Sequence, residues 1–304
     1  MSIVPRRLRA CGRELEIGPR PWLMGIVNAS PDSFSDGGLH AGRDAQLQHA
    51  ERLLAEGAQI LDVGGESAST GRPPVAVQEE IERVVPLVER IAGELGALVS
   101  VDTYKPEVAR AAVAAGACIV NDVSGLRDPS LAGVCAETGA ALVLMHTAAA
   151  PRERRQDPDL YDDVAGEVLA FLHERLELAL AQGMDREQLI VDPGPDFAKT
   201  PAQTIALLAC AERLGELERP VLMAISRKDF IGALTGRAPR ERLAGTLAAL
   251  AHGIDRGAHI FRVHDVAAAA DFLGVLAALR GEDTPPQDLR LGEEIRYQRA
   301  QPLR

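Results

Sequence analysis

The stretch LVSVDTYKPEVARAAVAAGACIVND, residues 98–122, contains one complete strand–helix unit and the start of the next. Its first apolar run, Leu98–Val101, is continuous rather than alternating, as expected of a strand buried on both faces. The helical segment Pro106–Ala115 opens on proline, which suits a first helical turn, and Gly116 follows as a C-terminal cap. A second apolar run begins at Ile119, so the stretch predicts a parallel strand–helix repeat.

The same unit recurs along the whole chain. The apolar runs are Leu23–Val27, Ile60–Val63, Leu98–Val101, Ile119–Val120, Ala141–Met145, Leu189–Val191, Val221–Ile225 and Ile260–Val263. The helical segments are Arg43–Glu56, Val75–Ala92, Pro106–Ala115, Pro129–Thr138, Asp162–Gln182, Pro201–Leu214, Pro239–Arg256 and Val266–Leu279. Eight units in one run predict a closed (β/α)8 barrel of the TIM type. An open, doubly wound sheet is the alternative, although such sheets usually have fewer strands.

Residues 1–304 are expected to form a single domain. The barrel occupies about residues 21–280. Residues 1–20 resemble a short hairpin across the barrel floor, and residues 281–304 form an irregular, charged and Pro-rich tail that we expect to lie loosely on the surface.

Charge and cysteine content exclude several classes of protein. The net charge is −11, without the clustered positive charge that nucleic-acid binding requires. No apolar stretch is long enough for a signal peptide or a membrane span. The four cysteines are scattered and have no metal-ligand spacing, so we expect a reduced, cytoplasmic protein. They are Cys11, Cys118, Cys135 and Cys210.

A polar or charged residue follows each of the eight apolar runs. These residues are Asn28, Gly64–Ser67, Asp102, Asn121–Asp122, His146, Asp192, Ser226–Lys228, and Arg262 with His264. In a parallel barrel the carboxyl ends of the strands meet at one mouth, where active sites lie. A single such residue is more often a turn or cap residue, and that reading fits Asn121 or Asp122. Eight together predict a functional site.

Longer strings at these positions closely resemble the dihydropteroate synthase family. MGIVNASPDSFSDGG, residues 24–38, resembles the family's first signature, and ILDVGGES, residues 60–67, resembles its second. Further matching strings, in the family's order, are SVDTYKP (100–106), ND (121–122), DPG (192–194), FAKT (197–200), SRK (226–228) and RVHDV (262–266). The resemblance covers roughly residues 12–280. It implies a transferase of folate biosynthesis, which joins 6-hydroxymethyl-7,8-dihydropterin diphosphate to p-aminobenzoate and releases pyrophosphate.

The resemblance also implies roles for individual residues. Pterin recognition would fall to carboxylates and an amide, because Asp accepts hydrogen bonds from ring N–H groups and Asn both donates and accepts. These are Asp102, Asn121 and Asp192, with Lys228 near the ring. Asn28 would associate with Mg²⁺, which prefers oxygen ligands, and Arg262 with His264 would bind the diphosphate. The expected catalytic set is Asn28, Asp102, Lys228 and Arg262, and further substrate contacts are Phe34, Thr70, Arg72, Met145, Phe197 and Asp229.

Departures from the family pattern fall on the side of the second substrate. The usual Thr-Arg-Pro-Gly is replaced by ASTGRPP, residues 68–74, where Thr70 and Arg72 either substitute or are turn residues. The usual Ser after Ser-Arg-Lys is Asp229. Two carboxylates repel by roughly 4 kcal/mol at about 4 Å and an effective dielectric near 20. Asp229 is therefore turned away as a helix N-cap, or is neutralised by Arg72, or the second substrate differs.

Two alternatives to an active synthase follow from this pattern. A non-catalytic homologue would bind pterin diphosphate without condensing it. A pterin-binding methyltransferase relative is disfavoured, because it has no use for Arg262 and His264. Family members are commonly homodimers, and the Ala-rich faces Leu243–Ala251 and Ala267–Ala278 would suit close helix packing.

The three lysines provide a further hint, because all lie inside matching strings: Lys105, Lys199 and Lys228. In a chain whose other cationic residues are arginines, a lysine indicates a site that requires a compact positive charge. Lys228 is the one expected in the site, whereas Lys105 is expected to be a solvated residue at a helix start.

Overall fold

The computed structural model describes residues 3–29, 38–66, 74–292 and 295–296. Its first element is an antiparallel hairpin formed by β1 (Arg6–Ala10) and β2 (Arg13–Ile17). Cys11 and Gly12 make the turn with positive φ angles of 48° and 75°.

Eight parallel strands follow and form the barrel. They are β3 (Trp22–Asn28), β4 (Ile60–Gly64), β5 (Leu98–Asp102), β6 (Ile119–Asp122), β7 (Ala141–Met145), β8 (Leu189–Asp192), β9 (Leu222–Met223) and β10 (Ile260–Val263). The hydrogen-bonded order is β8-β7-β6-β5-β4-β3-β10-β9. A parallel bridge between Val191 and Val221 joins the two outer strands. The barrel prediction is therefore confirmed over the open sheet.

Helices surround the strands. They are α1 (Gly38–Ala55), α2 (Val77–Leu95), α3 (Pro106–Ala114), α4 (Ser130–Thr138), α5 (Val164–Ala181), α6 (Pro201–Ala209), α7 (Asp229–Thr235), α8 (Leu243–Asp255) and α9 (Val266–Leu279). No helix among the described residues is long and apolar enough to cross a membrane.

Two helices predicted as single segments are divided in the structure. The segment Pro201–Leu214 forms α6 as far as Ala209 and then a 3₁₀ helix, Ala211–Leu217. Pro239–Arg256 likewise begins as the 3₁₀ helix Pro239–Glu241 before α8 starts. Helix ends often tighten into 3₁₀ turns, which hydrophobic periodicity does not resolve.

The short helix α7 was not predicted. Its seven residues make about two turns, too few for a helical period to be recognised. It begins directly after the polar string 226–228 and ends at Gly236, whose φ is 69°. Lys228 is its N-cap residue and Asp229 its first residue, so this element positions two of the predicted site residues.

The hairpin closes the floor of the barrel, as the sequence indicates. Leu8, Ala10 and Ile17 are fully or almost fully buried and belong to the same core cluster as residues inside the barrel, among them Met24 and Ile60. A second and larger cluster packs the outer faces of the strands against the helices. Apolar side chains thus fill the lower barrel and leave the carboxyl ends of the strands for polar groups.

Candidate active site

Four of the strand ends lie in one row across the sheet. The register pairs Asn28 of β3 with Gly64 of β4, Gly64 with Asp102 of β5, and Asp102 with Asn121 of β6. Because adjacent parallel strands are about 4.8 Å apart, this row brings the predicted metal-associated residue and two of the predicted pterin residues to one end of the barrel.

A buried polar network stands at the centre of this end. Arg262 Nε donates to Asp62 Oδ2 at 2.6 Å, and Arg262 Nη2 donates to Asp102 Oδ2 at 3.0 Å. Asn121 Nδ2 donates to the same Asp62 oxygen at 3.2 Å. Asp62 is completely buried. A buried carboxylate requires paired charge and hydrogen bonds, and here it receives both while fixing the positions of Arg262 and Asn121.

Sequence reasoning missed Asp62 as a functional residue, although the sequence held a signal. Asp62 is a charged residue inside the apolar run Ile60–Val63 of a strand predicted to be buried on both faces. A carboxylate at such a position needs a buried partner, because an isolated ion in an apolar core is very costly. The partner, Arg262, is 200 positions away in the chain, so only the fold reveals it.

Burial dominates the electrostatics of Asp102 and Asp192, the two carboxylates predicted to bind the pterin. Burial raises the pKa of Asp102, against the opposing effect of the Arg262 guanidinium. Burial also raises the pKa of Asp192 to about 6, opposed by the N–H of Gly194 and the charge of Lys228. Both groups therefore lie closer to neutrality than exposed carboxylates, which suits acids that exchange hydrogen bonds with a polar heterocycle.

Asp192 and Met145 are paired in register at the ends of β8 and β7, and both are almost fully buried. The Asp192 carboxylate accepts from the Gly194 N–H at 2.7 Å. Gly194 has a φ of 64°, and a Cβ there would lie 2.1 Å from the His146 carbonyl oxygen, so only glycine fits this close approach.

Lys228 lies over an aromatic ring. Its Nζ is 4.3 Å from the centroid of Phe197, a distance typical of a cation–π contact. Burial lowers the pKa of Lys228, while the nearby Asp196 and Asp192 carboxylates raise it. The structure therefore brings together the predicted residues Asp192, Phe197 and Lys228 on one side of the site.

Lys199, the lysine of the FAKT string, is completely buried. Its Nζ donates to His146 Nδ1 at 2.8 Å and to the carbonyl oxygens of Gly194 and Phe197, each at 3.0 Å. Burial lowers the pKa of Lys199 to about 7 and that of His146 to about 3. His146 is therefore neutral, and Lys199 fixes the loop that carries Phe197.

Two other predicted strand-end residues have local partners. His264 is exposed, and its Nδ1 lies 2.9 Å from Ser226 Oγ, which also accepts the His264 N–H at 3.2 Å. Asp122 accepts from the backbone N–H groups of Ser124 at 2.7 Å and Leu126 at 2.6 Å. Asp122 thus behaves as the turn residue allowed for above, whereas Asn121 joins the buried network.

The departure at Asp229 is compensated by arginines. Arg242 Nη1 donates to Asp229 Oδ1 at 3.1 Å, and Arg154 Nη2 lies 3.9 Å from Asp229 Oδ2. Of the three alternatives for Asp229, the helix N-cap is excluded, because Lys228 occupies the cap and Asp229 follows it. The Asp229 side chain is 55% exposed, so its charge is also solvated. Arg72 lies outside the described residues.

The prediction that Lys105 is solvated is also wrong. Its side chain is only 12% exposed, and its Nζ donates to Glu66 at 2.6 Å and to Glu80 at 2.5 Å. Glu66 also pairs with Arg152 of the β7–α5 segment. Lys105, at the start of α3, therefore connects α3 to α2 and to the end of β4, and through Glu66 to the β7–α5 segment. The position of a lysine at a helix start does not by itself indicate such long-range ion pairs.

Asn28, the expected Mg²⁺-associated residue, ends β3 with its side chain exposed. Gln46 Nε2 donates to its backbone carbonyl at 3.1 Å, which fixes the main chain there. Within the described residues, no group of three or more His, Cys, Asp or Glu could hold a metal ion. The donor set fits a Mg²⁺ ion that takes few protein oxygens and completes its shell with water and substrate phosphates.

A cavity of about 380 Å³ opens above these strand ends. Asp102, Phe197, Lys228 and Asp229 line it, together with Arg154 of the β7–α5 segment. Its volume and mixed polar and aromatic walls suit a small aromatic ligand. Three predicted substrate contacts, Phe34, Thr70 and Arg72, lie outside the described residues, as do Asp32 and Asp36.

Known proteins share both the sequence pattern and the fold. A family model described as pterin binding enzyme matches residues 24–264. The dihydropteroate synthase of Bacillus subtilis (strain 168) is 43% identical over 258 residues, covering 84% of this chain and 88% of the relative.

Solved structures give the same result. Dihydropteroate synthase of Xanthomonas albilineans with 4-aminobenzoic acid has a TM-score of 0.84 and 46% identity, covering 93% of this chain and 100% of that one. The Xanthomonas albilineans enzyme with 7,8-dihydropteroate has a TM-score of 0.80 and 46% identity, covering 91% and 100%. This chain therefore belongs to the pterin-binding enzyme family and, within it, to the dihydropteroate synthases.

Proposed function

We propose that this chain is a catalytically active dihydropteroate synthase. It condenses 6-hydroxymethyl-7,8-dihydropterin diphosphate with p-aminobenzoate and yields 7,8-dihydropteroate and pyrophosphate. The observation that carries the proposal is the buried network in which Asp62 holds Arg262 and Asn121 beside Asp102. At one end of the barrel, this network brings together two kinds of group. Asp102 and Asn121 can form hydrogen bonds with a polar heterocycle, and Arg262 is a cation that can bind a leaving anion.

The floor of the site recognises the pterin. The carboxylates of Asp102 and Asp192 accept from ring N–H groups, and the Asn121 amide pairs with either kind of ring atom. Lys228 is held over Phe197, and it would lie near the pterin ring on the side where the second aromatic ring enters. These groups orient both substrates and exclude water, which supplies much of the rate enhancement in reactions that need no covalent intermediate.

The reaction itself needs charge stabilisation. The carbon–oxygen bond to the diphosphate breaks, and its electron pair leaves with pyrophosphate. The amine lone pair then forms the new carbon–nitrogen bond to the cationic methylene carbon, and the nitrogen loses a proton to solvent. Arg262 stabilises the departing anion, and it is already oriented by Asp62 and Asp102 before substrate binds.

Mg²⁺ is part of this proposal. Asn28 would hold it through its amide oxygen together with the phosphates of the substrate, and it would neutralise charge on the leaving group. The exposed position of Asn28 at the end of β3, in the same row as Asp102, supports that assignment.

We place the protein in the cytoplasm as a homodimer. The four cysteines are all free, as in a reducing compartment. Val275 and Leu279 of α9 are large apolar side chains exposed by 61% and 80%, which suits a self-association surface. Sedimentation equilibrium would measure the assembly.

Pyrophosphate release tests the activity. Purified protein with Mg²⁺ and the pterin diphosphate should release pyrophosphate at a rate that depends on p-aminobenzoate, with 7,8-dihydropteroate appearing in equal amount. Omission of the amine is the control. Tight pterin binding without release would contradict the synthase and favour a non-catalytic homologue, above all if Asp229→Ser restored turnover.

A further inference from the structure

The β7–α5 segment places an exposed arginine opposite Asp229 at the mouth of the cavity. Arg154 Nη2 lies 3.9 Å from Asp229 Oδ2, and the two side chains are 64% and 55% exposed. Both residues line the cavity. At 3.9 Å this pair is longer than a charge-assisted hydrogen bond, which is about 2.7–2.9 Å, so Arg154 is able to exchange its partner.

Three other arginines of the mouth are more closely engaged. Arg152 pairs with the buried Glu66, and Arg227 forms a two-pronged pair with Asp265 at 2.6 and 3.0 Å. Arg242 is only 11% exposed and donates to the carbonyl oxygens of Arg227 and Lys228 as well as to Asp229. These arginines hold parts of the fold in place, because removing them would take a partner from the buried Glu66, from the partly buried Asp265 or from backbone carbonyls.

The shape of the second substrate then determines where its charge lies. The amine and carboxylate of p-aminobenzoate stand at opposite ends of a rigid ring. The amine must reach the pterin methylene carbon above the floor formed by Asp102 and Asn121, with the ring beside Phe197 and Lys228. The carboxylate is thereby directed to the mouth, where Asp229 would repel it unless a cation stands between them.

We infer that Arg154 is this cation: it releases Asp229 and binds the carboxylate of the aromatic amine. Arg242 retains Asp229, so the two arginines are then matched by two carboxylates, that of Asp229 and that of the substrate. The β7–α5 segment therefore sets selectivity for anionic aromatic amines in this chain. The inference rests on the proposed synthase activity and names the residue that recognises its second substrate.

Steady-state kinetics with two amines test it. KM and kcat are measured for p-aminobenzoate and for the uncharged p-aminobenzamide on wild type, Arg154→Gln and Arg155→Gln. Arg155 is the matched control: it is next in sequence and also lines the cavity, but its partner is Asp157, at 3.6 Å, rather than Asp229. Arg154→Gln should raise KM for p-aminobenzoate about tenfold, or about 1.4 kcal/mol, with kcat and the benzamide KM little changed. Arg155→Gln should change neither.

Three results would overturn the inference. One is an equal effect of Arg154→Gln and Arg155→Gln, and another is an equal loss for both amines. The third is loss of selectivity in Arg72→Gln but not in Arg154→Gln, which would assign the carboxylate to Arg72. Turnover by the wild type separates the two claims. If the wild type forms no product from either amine, the synthase proposal fails and this inference fails with it. If the wild type turns over normally and Arg154→Gln keeps the wild-type selectivity, only the role of Arg154 is refuted.

Discussion

At the residue scale, Asp62 is the group on which the proposed diphosphate and pterin contacts depend. It accepts from Arg262 at 2.6 Å and from Asn121 at 3.2 Å, and it touches neither expected substrate in the proposed mechanism. Asp62→Asn keeps the volume but removes the charge that holds the guanidinium. Misplacement of a binding group by about 1 Å can cost about 100-fold in rate, so kcat should fall by roughly that factor while KM for p-aminobenzoate changes little.

The control for Asp62→Asn is its neighbour in register. Ser100 of β5 pairs with Asp62 across the strands, and its buried hydroxyl has no hydrogen-bond partner among the described residues. Ser100→Ala should therefore keep the wild-type kcat. A wild-type kcat in Asp62→Asn, or a rise in KM for p-aminobenzoate alone, would show that Asp62 does not orient Arg262.

Asp192 gives the site a pH dependence. Burial raises its pKa from 3.8 to about 6, so between these two values the folded protein carries a protonated Asp192 that an exposed aspartate would not. Only the ionised carboxylate accepts hydrogen bonds through both oxygens. Affinity for 6-hydroxymethyl-7,8-dihydropterin should therefore strengthen as pH rises through about 6.

Calorimetric titration from pH 5 to 7.5 measures this effect, with Asp192→Asn as the comparison, since protonation of the ligand is common to both proteins. The increase in affinity near pH 6 should be absent from Asp192→Asn. Identical pH profiles for the two proteins would assign the titration to the ligand or to another group.

At the scale of elements, the loop between β8 and α6 is held in an unusual conformation. Gly194, Asp196 and Ala198 all have positive φ angles, and Lys199 stabilises the loop from within through three acceptors. Each buried polar group left unpaired costs about 1–3 kcal/mol. Lys199→Met should lower the free energy of unfolding by roughly 3 kcal/mol and raise KM for p-aminobenzoate, because Phe197 is no longer fixed.

Urea unfolding and steady-state kinetics check Lys199→Met together. Lys199→Arg, which keeps a donor, should recover part of the KM effect even if stability stays low. Loss of stability with an unchanged KM would show that the loop keeps Phe197 in place without the lysine.

Sequence patterns predicted elements better than the contacts between them. The apolar runs marked every barrel strand, because strands buried on both faces carry continuous hydrophobicity. Lys105 and Lys199 were misjudged or left unassigned because their partners, Glu80 and His146, come from other elements. The seven-residue α7 was missed because two turns show no period. The hydrophobic pattern of a segment indicates which of its residues are buried. It does not indicate ion pairs across the barrel, because these depend on tertiary packing.

At the scale of the whole molecule, the barrel separates a stabilising floor from a reactive mouth. Leu8 of the hairpin is 1% exposed and belongs to the core cluster inside the barrel, whereas the site lies at the opposite ends of the strands. Leu8→Ala should reduce the free energy of unfolding by about 2–5 kcal/mol, the usual cost of a buried Leu→Ala cavity. The void left by Leu8→Ala lies at the floor of the barrel, away from the mouth. KM for both substrates should therefore stay at the wild-type value.

The same hairpin provides the matched variant. Leu15 faces Leu8 in the β1–β2 register but is only half-buried, so Leu15→Ala should cost clearly less. Urea denaturation gives the two free energies, and kinetics at a temperature where both variants are folded give the KM values. A raised KM in Leu8→Ala with a normal one in Leu15→Ala would mean that floor packing reaches the strand ends. Packing at the floor would then affect substrate binding at the mouth. Substitutions made in the floor to raise the stability of the protein would then also change KM.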